Sequence, residues 1–420
     1  MAMGEPIQLA VLGGSGVATP GLIHALARVA DRPAVQVTLL GRSVRKLERV
    51  AALSRRLAQQ AAAPLTVAHA TDLRLGLEGA DYVLNQIRVG GYEARAVDET
   101  FPHAFGLPGE ETVGPGGMNN ALRTIPATLE QCRILEEVAP QALVINLTNP
   151  SSYLQYAISR YTRLASVGTC DSPIGLAQGI AAALGAPVEA LWVGYVGMHH
   201  FGWVTEVHWN GRDVLPDLLT RLEQIPGLPV DADLVRAIGA IPTSYFKYRF
   251  HADRLLAGQI GKPPRAEQLL EMQDQILTDL QREDLQDMPE SLVRRGAGWY
   301  ERIIVPVLLA HAMDTRQVFT LNVRNGSTLP WMPPQAIIEL PTVVTRQGFY
   351  PLQPARVPPD LQAMLRMNAA MEMLWVEAVV ERSVDKALRA MVLNPMIQNL
   401  DQARAVLQAI WPKDVPGAPD

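Results

Sequence analysis

Apolar positions in the first third of the chain alternate between short β-branched runs and longer stretches with helical spacing. Residues 7–12, 35–40 and 65–68 read as strands, and 81–87 and 142–147 repeat the pattern. Between them, 19–30, 44–59 and 119–138 place apolar residues on one helix face, with Pro20 tolerated in a first turn. Strands alternating with helices predict a parallel, doubly wound sheet. After residue 170 the texture changes. Residues 191–196 and 203–209 read as strands, and Asn210-Gly211 is a hairpin turn pair. Helices are expected over 266–281, 300–313 and 361–391, and strands of a second sheet over 317–323 and 336–344. The expected class is α/β. A Rossmann-type dinucleotide-binding domain spans 1–170, an α+β substrate and oligomerisation domain spans 171–411, and a proline-rich tail spans 412–420.

A chain of 420 residues, 48% hydrophobic and 19% charged, suits two packed lobes of a globular protein. The net charge of −5 is small and no run of like charges stands out, which argues against a nucleic-acid or membrane-surface partner. Two cysteines, Cys132 and Cys170, cannot build a disulfide framework, so a reducing compartment is expected. The N-terminus has no basic stretch followed by an apolar core, and the apolar stretch 303–313 is too short to span a bilayer. These features predict a cytoplasmic protein acting on a small molecule.

The string VLGGSGVATP (11–20) closes one strand and opens a helix. Gly14 and Gly16 fit the first two glycines of a dinucleotide fingerprint, with Gly13 and Ser15 in the same turn. Without side chains there, backbone N–H groups can approach a pyrophosphate at the helix N-terminus. The third fingerprint position holds Thr19. The second strand ends in Gly41, Arg42 and Ser43, with no carboxylate for a ribose hydroxyl. Arg42 and Ser43 suit a 2′-phosphate, or are solvated residues at a helix start, so NAD and NADP both stay open.

Further motifs follow in order: QIRVGG (86–91) with Arg95, EETVGPGG (110–117), ALRTIP (121–126), NLTNP (146–150), GTCD (168–171), GMHHFGW (197–203), IPTSY (241–245) and RAE (265–267). Together they resemble the NAD-dependent glycoside hydrolases of family 4. The resemblance implies a fold related to lactate and malate dehydrogenases, a nicotinamide cofactor, a divalent metal such as Mn²⁺, and a homodimer or homotetramer. It also implies a reaction outside the usual two-carboxylate scheme. Hydride leaves C3 of the sugar, the C2 proton becomes acidic, the aglycone is eliminated, water adds, and hydride returns.

Carried onto this chain, the resemblance implies that Cys170 and His200 hold the metal. The family commonly has Asn before that histidine, and this chain has His199, expected as a second ligand or a substrate contact. From the residues alone, one Cys and a distant His describe core packing better than ligands. Asp171 resembles the general acid of the α-cleaving members; capping the helix that starts near Pro173 is its structural alternative. Tyr245 matches the proton-abstracting tyrosine, with Tyr248 as second choice. A phenol needs nearby positive charge to act as a base, for which the metal and Arg265 are candidates. Arg88, Arg95 and Asn149 fit substrate contacts, and arginine forks suit a sugar 6-phosphate. Against that, Gly16-Val17-Ala18 lacks the hydroxyls of phosphoglycoside-cleaving members. A 2-hydroxy-acid dehydrogenase and a nucleotide-sensing protein remain the alternatives.

Overall fold

Six short strands, each followed by a stretch that can cover a sheet face, form the parallel half of the molecule. The computed structural model describes residues 5–225, 228 and 230–413. The tail expected over 412–420 lies, from residue 414 on, outside the described residues. The strands are β1 (Ile7–Leu12), β2 (Val35–Leu40), β3 (Leu65–Ala70), β4 (Tyr82–Asn85), β5 (Leu143–Asn146) and β6 (Ala165–Gly168). They lie side by side in the order β3-β2-β1-β4-β5-β6, all parallel. This is the doubly wound order whose ligands bind beyond the carboxyl ends of the strands. All four residues of β4 and of β5 are buried, as a sheet covered on both faces requires.

The second half supplies β7 (Leu191–Met198), β8 (Phe201–Trp209), β9 (Arg212–Asp213), β10 (Ile241–Pro242), β11 (Val318–Arg324), β12 (Ile337–Thr345) and β13 (Gly348–Pro351). The sequence pattern predicts a separate second sheet here; the structure instead continues the first one. β11 joins β6 through the pair Asn322–Gly168, and β12 joins β7 through Glu339–Gly197. The order therefore runs β10-β8-β7-β12-β11-β6 without a break. Period-2 patterning shows which face of a strand is buried but not which edge it pairs with.

Four further differences have local causes. The helix expected to start at 119 begins at Gly114, because the run Gly-Pro-Gly-Gly, a poor helix former, is held in the first turn with Pro115 at a tolerated position. The single helix expected over 361–391 is two, Pro359–Glu381 and Val384–Leu393. Arg382 takes a left-handed conformation, and Ser383 caps the second helix by accepting the Lys386 N–H at 3.3 Å. Helices Gly91–Thr100 and Ser151–Tyr161 and strand β6 are short polar or mixed segments that periodicity does not reveal. The stretch 300–313 starts as a π-helical turn at Tyr300–Ile304 before becoming α-helical.

The three strands next to the junction of the halves are tied by a buried carboxyl. Glu339 accepts the Tyr195 hydroxyl at 2.8 Å and the Asn322 amide at 2.7 Å. Gly197 must lack a side chain, since a Cβ there would sit 2.3 Å from Gly202 Cα. Burial pushes the Glu339 carboxyl up to about 7 from its ordinary 4.5, against the two hydrogen bonds, which lower it. The folded protein thus binds this proton more tightly than the unfolded chain. Its contribution to stability is complete below pH 4.5 and is lost as the pH rises to about 7. Glu339→Gln, which imitates the protonated acid, should remove a decline in unfolding free energy on the order of 3 kcal/mol over that window. Denaturant melts at a series of pH values check this; parallel curves for wild type and variant would contradict it.

Candidate active site

Two turns near this junction bring the candidate ligands together. β6 ends at Gly168, and two residues on, Cys170 precedes the helix Ser172–Leu184. β7 and β8 are joined by a two-residue turn, His199-His200, with His200 at a left-handed φ of 62°. The possible ligand atoms of Cys170, His199 and His200 all lie within 4.8 Å of one another, and all three residues are buried. Pairing of β10 with β8 returns the chain to the same place, so Tyr245 stacks on His200 at 3.5 Å between ring centroids. His199 also stacks on His200, with centroids 3.7 Å apart.

Burial holds His199 down to about 3, and burial together with His199 holds His200 well below the ordinary histidine value. Both rings are therefore neutral, the form that binds a metal. Burial, then the negative Glu339, push the Cys170 thiol up, while the Ser172 N–H donates to its sulfur at 3.4 Å and works the other way. One thiolate and two imidazoles within this spacing can hold a divalent transition-metal ion such as Mn²⁺, Co²⁺ or Zn²⁺. His199 thus joins the cluster alongside the two residues anticipated as ligands.

Burial, followed by the negative groups of Glu110, Cys170 and Glu111, pushes Tyr245 well above 10. The support expected from Arg265 is not there. Arg265 is exposed at the start of the helix Arg265–Asp279, donates to Gln268 at 2.6 Å, and is not among the groups acting most strongly on Tyr245. A divalent cation beside Tyr245 supplies the positive charge a phenolate would need. Asp171 does not cap its helix; its carboxylate is half-exposed and pairs with Arg302 at 2.9 Å.

Arg88 and Arg95 converge on one carboxylate. Both pair with Glu111, and Arg95 also pairs with Glu99 at 2.7 Å. Burial acts to raise Glu111, but Arg88 and Arg95 outweigh it and hold it below the usual carboxylate range. These two arginines, expected as substrate contacts, pair with acids in this structure. Asn149 sits just past β5, and its backbone carbonyl accepts the Asn120 amide at 3.3 Å.

A pocket opens beside the cluster, enclosing about 480 Å³ with its mouth open to solvent, and is lined among others by His199, Tyr245, Arg249, Asn368 and Glu372. Among the described residues, Nη1 of Arg249 is buried without a hydrogen-bond partner. Burial pushes the Glu372 carboxyl up to about 8 against hydrogen bonds from Ser152 and Asn368. Arg249 and Glu372 were not anticipated from the sequence. Neither lies in a recognisable motif, and only the tertiary fold carries the helix Pro359–Glu381 to this wall.

The glycine turn after β1 is built for close approach. A Cβ on Gly14 would lie 2.8 Å from Leu40 N, and Gly13 has a φ of 77°. The turn leads into the helix Thr19–Ala27, so its N–H groups fit a pyrophosphate. Ser15 faces Gly41 across the turn, where a Cβ on Gly41 would meet Ser15 Oγ at 2.9 Å. Arg42 is exposed at the end of β2, and Ser43 caps the next helix, accepting the Lys46 N–H at 3.4 Å.

Family models place the whole arrangement. Residues 8–186 match the family 4 glycosyl hydrolases, and residues 195–397 match the family 4 glycosyl hydrolase C-terminal domain. The chain belongs to glycosyl hydrolase family 4. Among curated relatives of this family 4 enzyme is a maltose-6′-phosphate glucosidase of Bacillus subtilis, 26% identical, with 97% of each chain covered. Another is a 6-phospho-beta-glucosidase of Escherichia coli, also 26% identical, covering 94% of this chain and 93% of the relative. The structure of the Thermotoga maritima 6-phospho-beta glucosidase with manganese, NAD⁺ and glucose-6-phosphate superposes with a TM-score of 0.88 at 23% identity, covering 96% and 97%. A Cryptosporidium parvum malate dehydrogenase superposes at 0.55 with 12% identity, covering 91% and 100%, which shows the shared dehydrogenase-like fold. Among the described residues, no helix is long and apolar enough to cross a membrane.

The three-residue cluster makes a direct prediction. Cobalt(II) titrated into the protein should produce a near-ultraviolet thiolate charge-transfer band that Cys170→Ser abolishes. His199→Ala should weaken cobalt binding at least about tenfold. Equal affinity in His199→Ala would remove His199 from the ligand set.

Proposed function

We propose that this family 4 enzyme hydrolyses glycosides bearing an anionic group, a 6-phosphate foremost, using a nicotinamide cofactor at Gly13–Gly16 and Mn²⁺ at Cys170, His199 and His200. The observation that carries the reading is the stack of His199, His200 and Tyr245 with Cys170 at its edge, beside a pocket open to solvent. When bound, the nicotinamide accepts and returns hydride at C3 and the ion polarises the oxygen there. Tyr245 removes the C2 proton, its ring held in place by His200. The half-exposed Asp171 carboxylate, held in place by Arg302, takes a proton from solvent and passes it to the leaving oxygen. The exposed Arg42 leaves room for either NAD or NADP.

With Arg88 and Arg95 paired to Glu111, the cation left for the substrate's anionic group is Arg249. The relatives named for phosphorylated sugars support a phosphate there. Two buried free cysteines are compatible with a reducing cytoplasm, and assembly as a homodimer or homotetramer is part of the same proposal.

Two measurements test these assignments. Tyr245→Phe should abolish both turnover and exchange of the C2 proton with solvent deuterium; normal exchange would exclude Tyr245 as the base. Arg249→Ala should raise KM for a 6-phosphoglycoside about 10- to 100-fold, the loss of one charge-assisted contact, while leaving KM for the unphosphorylated glycoside unchanged. An equal change for both substrates would remove Arg249 as the anion contact. In either case the reduced cofactor should not accumulate, whereas accumulation in step with product would mark a dehydrogenase.

A further inference from the structure

A chain of hydrogen bonds runs from a buried carboxyl to the outer edge of His200. Thr112 Oγ1 lies 2.5 Å from Glu110 Oε2 and 2.8 Å from His200 Nδ1. The same Glu110 oxygen accepts the backbone N–H groups of Thr112 at 2.5 Å and of Val113 at 2.9 Å. An oxygen that accepts two N–H groups is an acceptor whether or not the acid is ionised, because any proton sits on the other oxygen. The Thr112 hydroxyl has one proton, and Glu110 Oε2 takes it. Toward His200, Thr112 then offers only lone pairs, so Nδ1 must carry the ring proton. A neutral imidazole has a single N–H. Nε2 is left with a free lone pair, and it is the nitrogen turned away from Thr112.

We propose that Glu110 and Thr112 form a positioning relay that fixes His200 in its Nδ1–H tautomer and ring orientation, so that Nε2 is prepared to bind the divalent ion. This rests on the reading of Cys170, His199 and His200 as a metal site. The relay is a property of two positions, 110 and 112, in a bent segment just before the helix at Gly114, which also presents Glu111 to Arg88 and Arg95. Outer partners of this kind orient a ligand histidine and raise its basicity without touching the metal.

The experiment measures Mn²⁺ affinity by calorimetry in wild type, Thr112→Val, Thr112→Ser, Glu110→Leu and the double variant Glu110→Leu/Thr112→Val. Val keeps the shape of Thr and removes the hydroxyl; Ser keeps the hydroxyl. The expected result is a 10- to 100-fold weaker Kd in Thr112→Val, restoration to within about twofold in Thr112→Ser, and a double variant no weaker than Thr112→Val alone. Nitrogen NMR of the metal-free protein, with His200 assigned from His200→Gln, gives a readout that needs neither metal nor activity. Nδ1 should be protonated in wild type and Thr112→Ser, and the tautomers mixed in Thr112→Val. A wild-type protein that binds no Mn²⁺ would defeat the metal-site reading itself. Tight binding by wild type and Thr112→Val alike, additive losses in the double variant, or an Nε2–H tautomer in wild type would each overturn the relay.

Discussion

One residue pair, Asn322 with Gly168, joins the parallel and antiparallel parts of one sheet, a second, Glu339 with Gly197, joins β12 to β7 within the antiparallel part, and the site depends on both. β6 and β7 are separated by β12 and β11, three strand spacings or about 14 Å at ordinary separation. Yet Cys170 and His199, each two residues beyond one of these glycines, bring ligand atoms within 4.8 Å. The turns that follow the two strands must therefore lean toward each other across the ends of β11 and β12. Shifting either pairing by one residue would turn the chain leading to Cys170 or His199 to the opposite face. Glu339, bonded to Tyr195 of β7 and Asn322 of β11, ties β7, β12 and β11 together.

Electrostatics follows from the same burial. Glu110 is pushed up to about 7 by burial and by Glu111, Glu339 to about 7 and Glu372 to about 8 by burial. Asp98 is raised to about 6 by burial in spite of Arg123. Glu111 alone of these is held down, because two arginines share it. The centre is thus lined with neutral imidazoles, a thiol and acids whose charge is suppressed by exclusion from water. A divalent cation held by Cys170, His199 and His200 would favour the thiolate and phenolate forms at once. Arg249 shares the cavity wall with Glu372, as a cation with an unsatisfied donor.

The phosphate question shows how residue type can mislead. Arg88 and Arg95 looked available for an anion because arginine forks suit phosphate, but Glu111 was only 23 and 16 positions away and claimed both. Arg265 kept its motif and lost its expected proximity to Tyr245, since its helix begins at the surface. Asp171 is where the motif put it, next to Cys170, though its partner Arg302 comes from a π-helical turn that no pattern announced.

Local chemistry was legible in the chain itself. The glycine turn, the alternating strands and helices, the Cys170, His200 and Tyr245 motifs and the hairpin after Trp209 depend on neighbours within a few residues, and short-range spacing records them. The continuation of one sheet through both halves, the break at Arg382, the entry of His199 into the cluster, the pairing of Arg88 and Arg95 with Glu111, and the delivery of Glu372 and Arg249 to the cavity were decided only in three dimensions. Each of these turns on which strand edge or helix face meets which, and on what water is excluded from. A one-dimensional pattern of polar and apolar positions specifies that a face is buried, not what it is buried against.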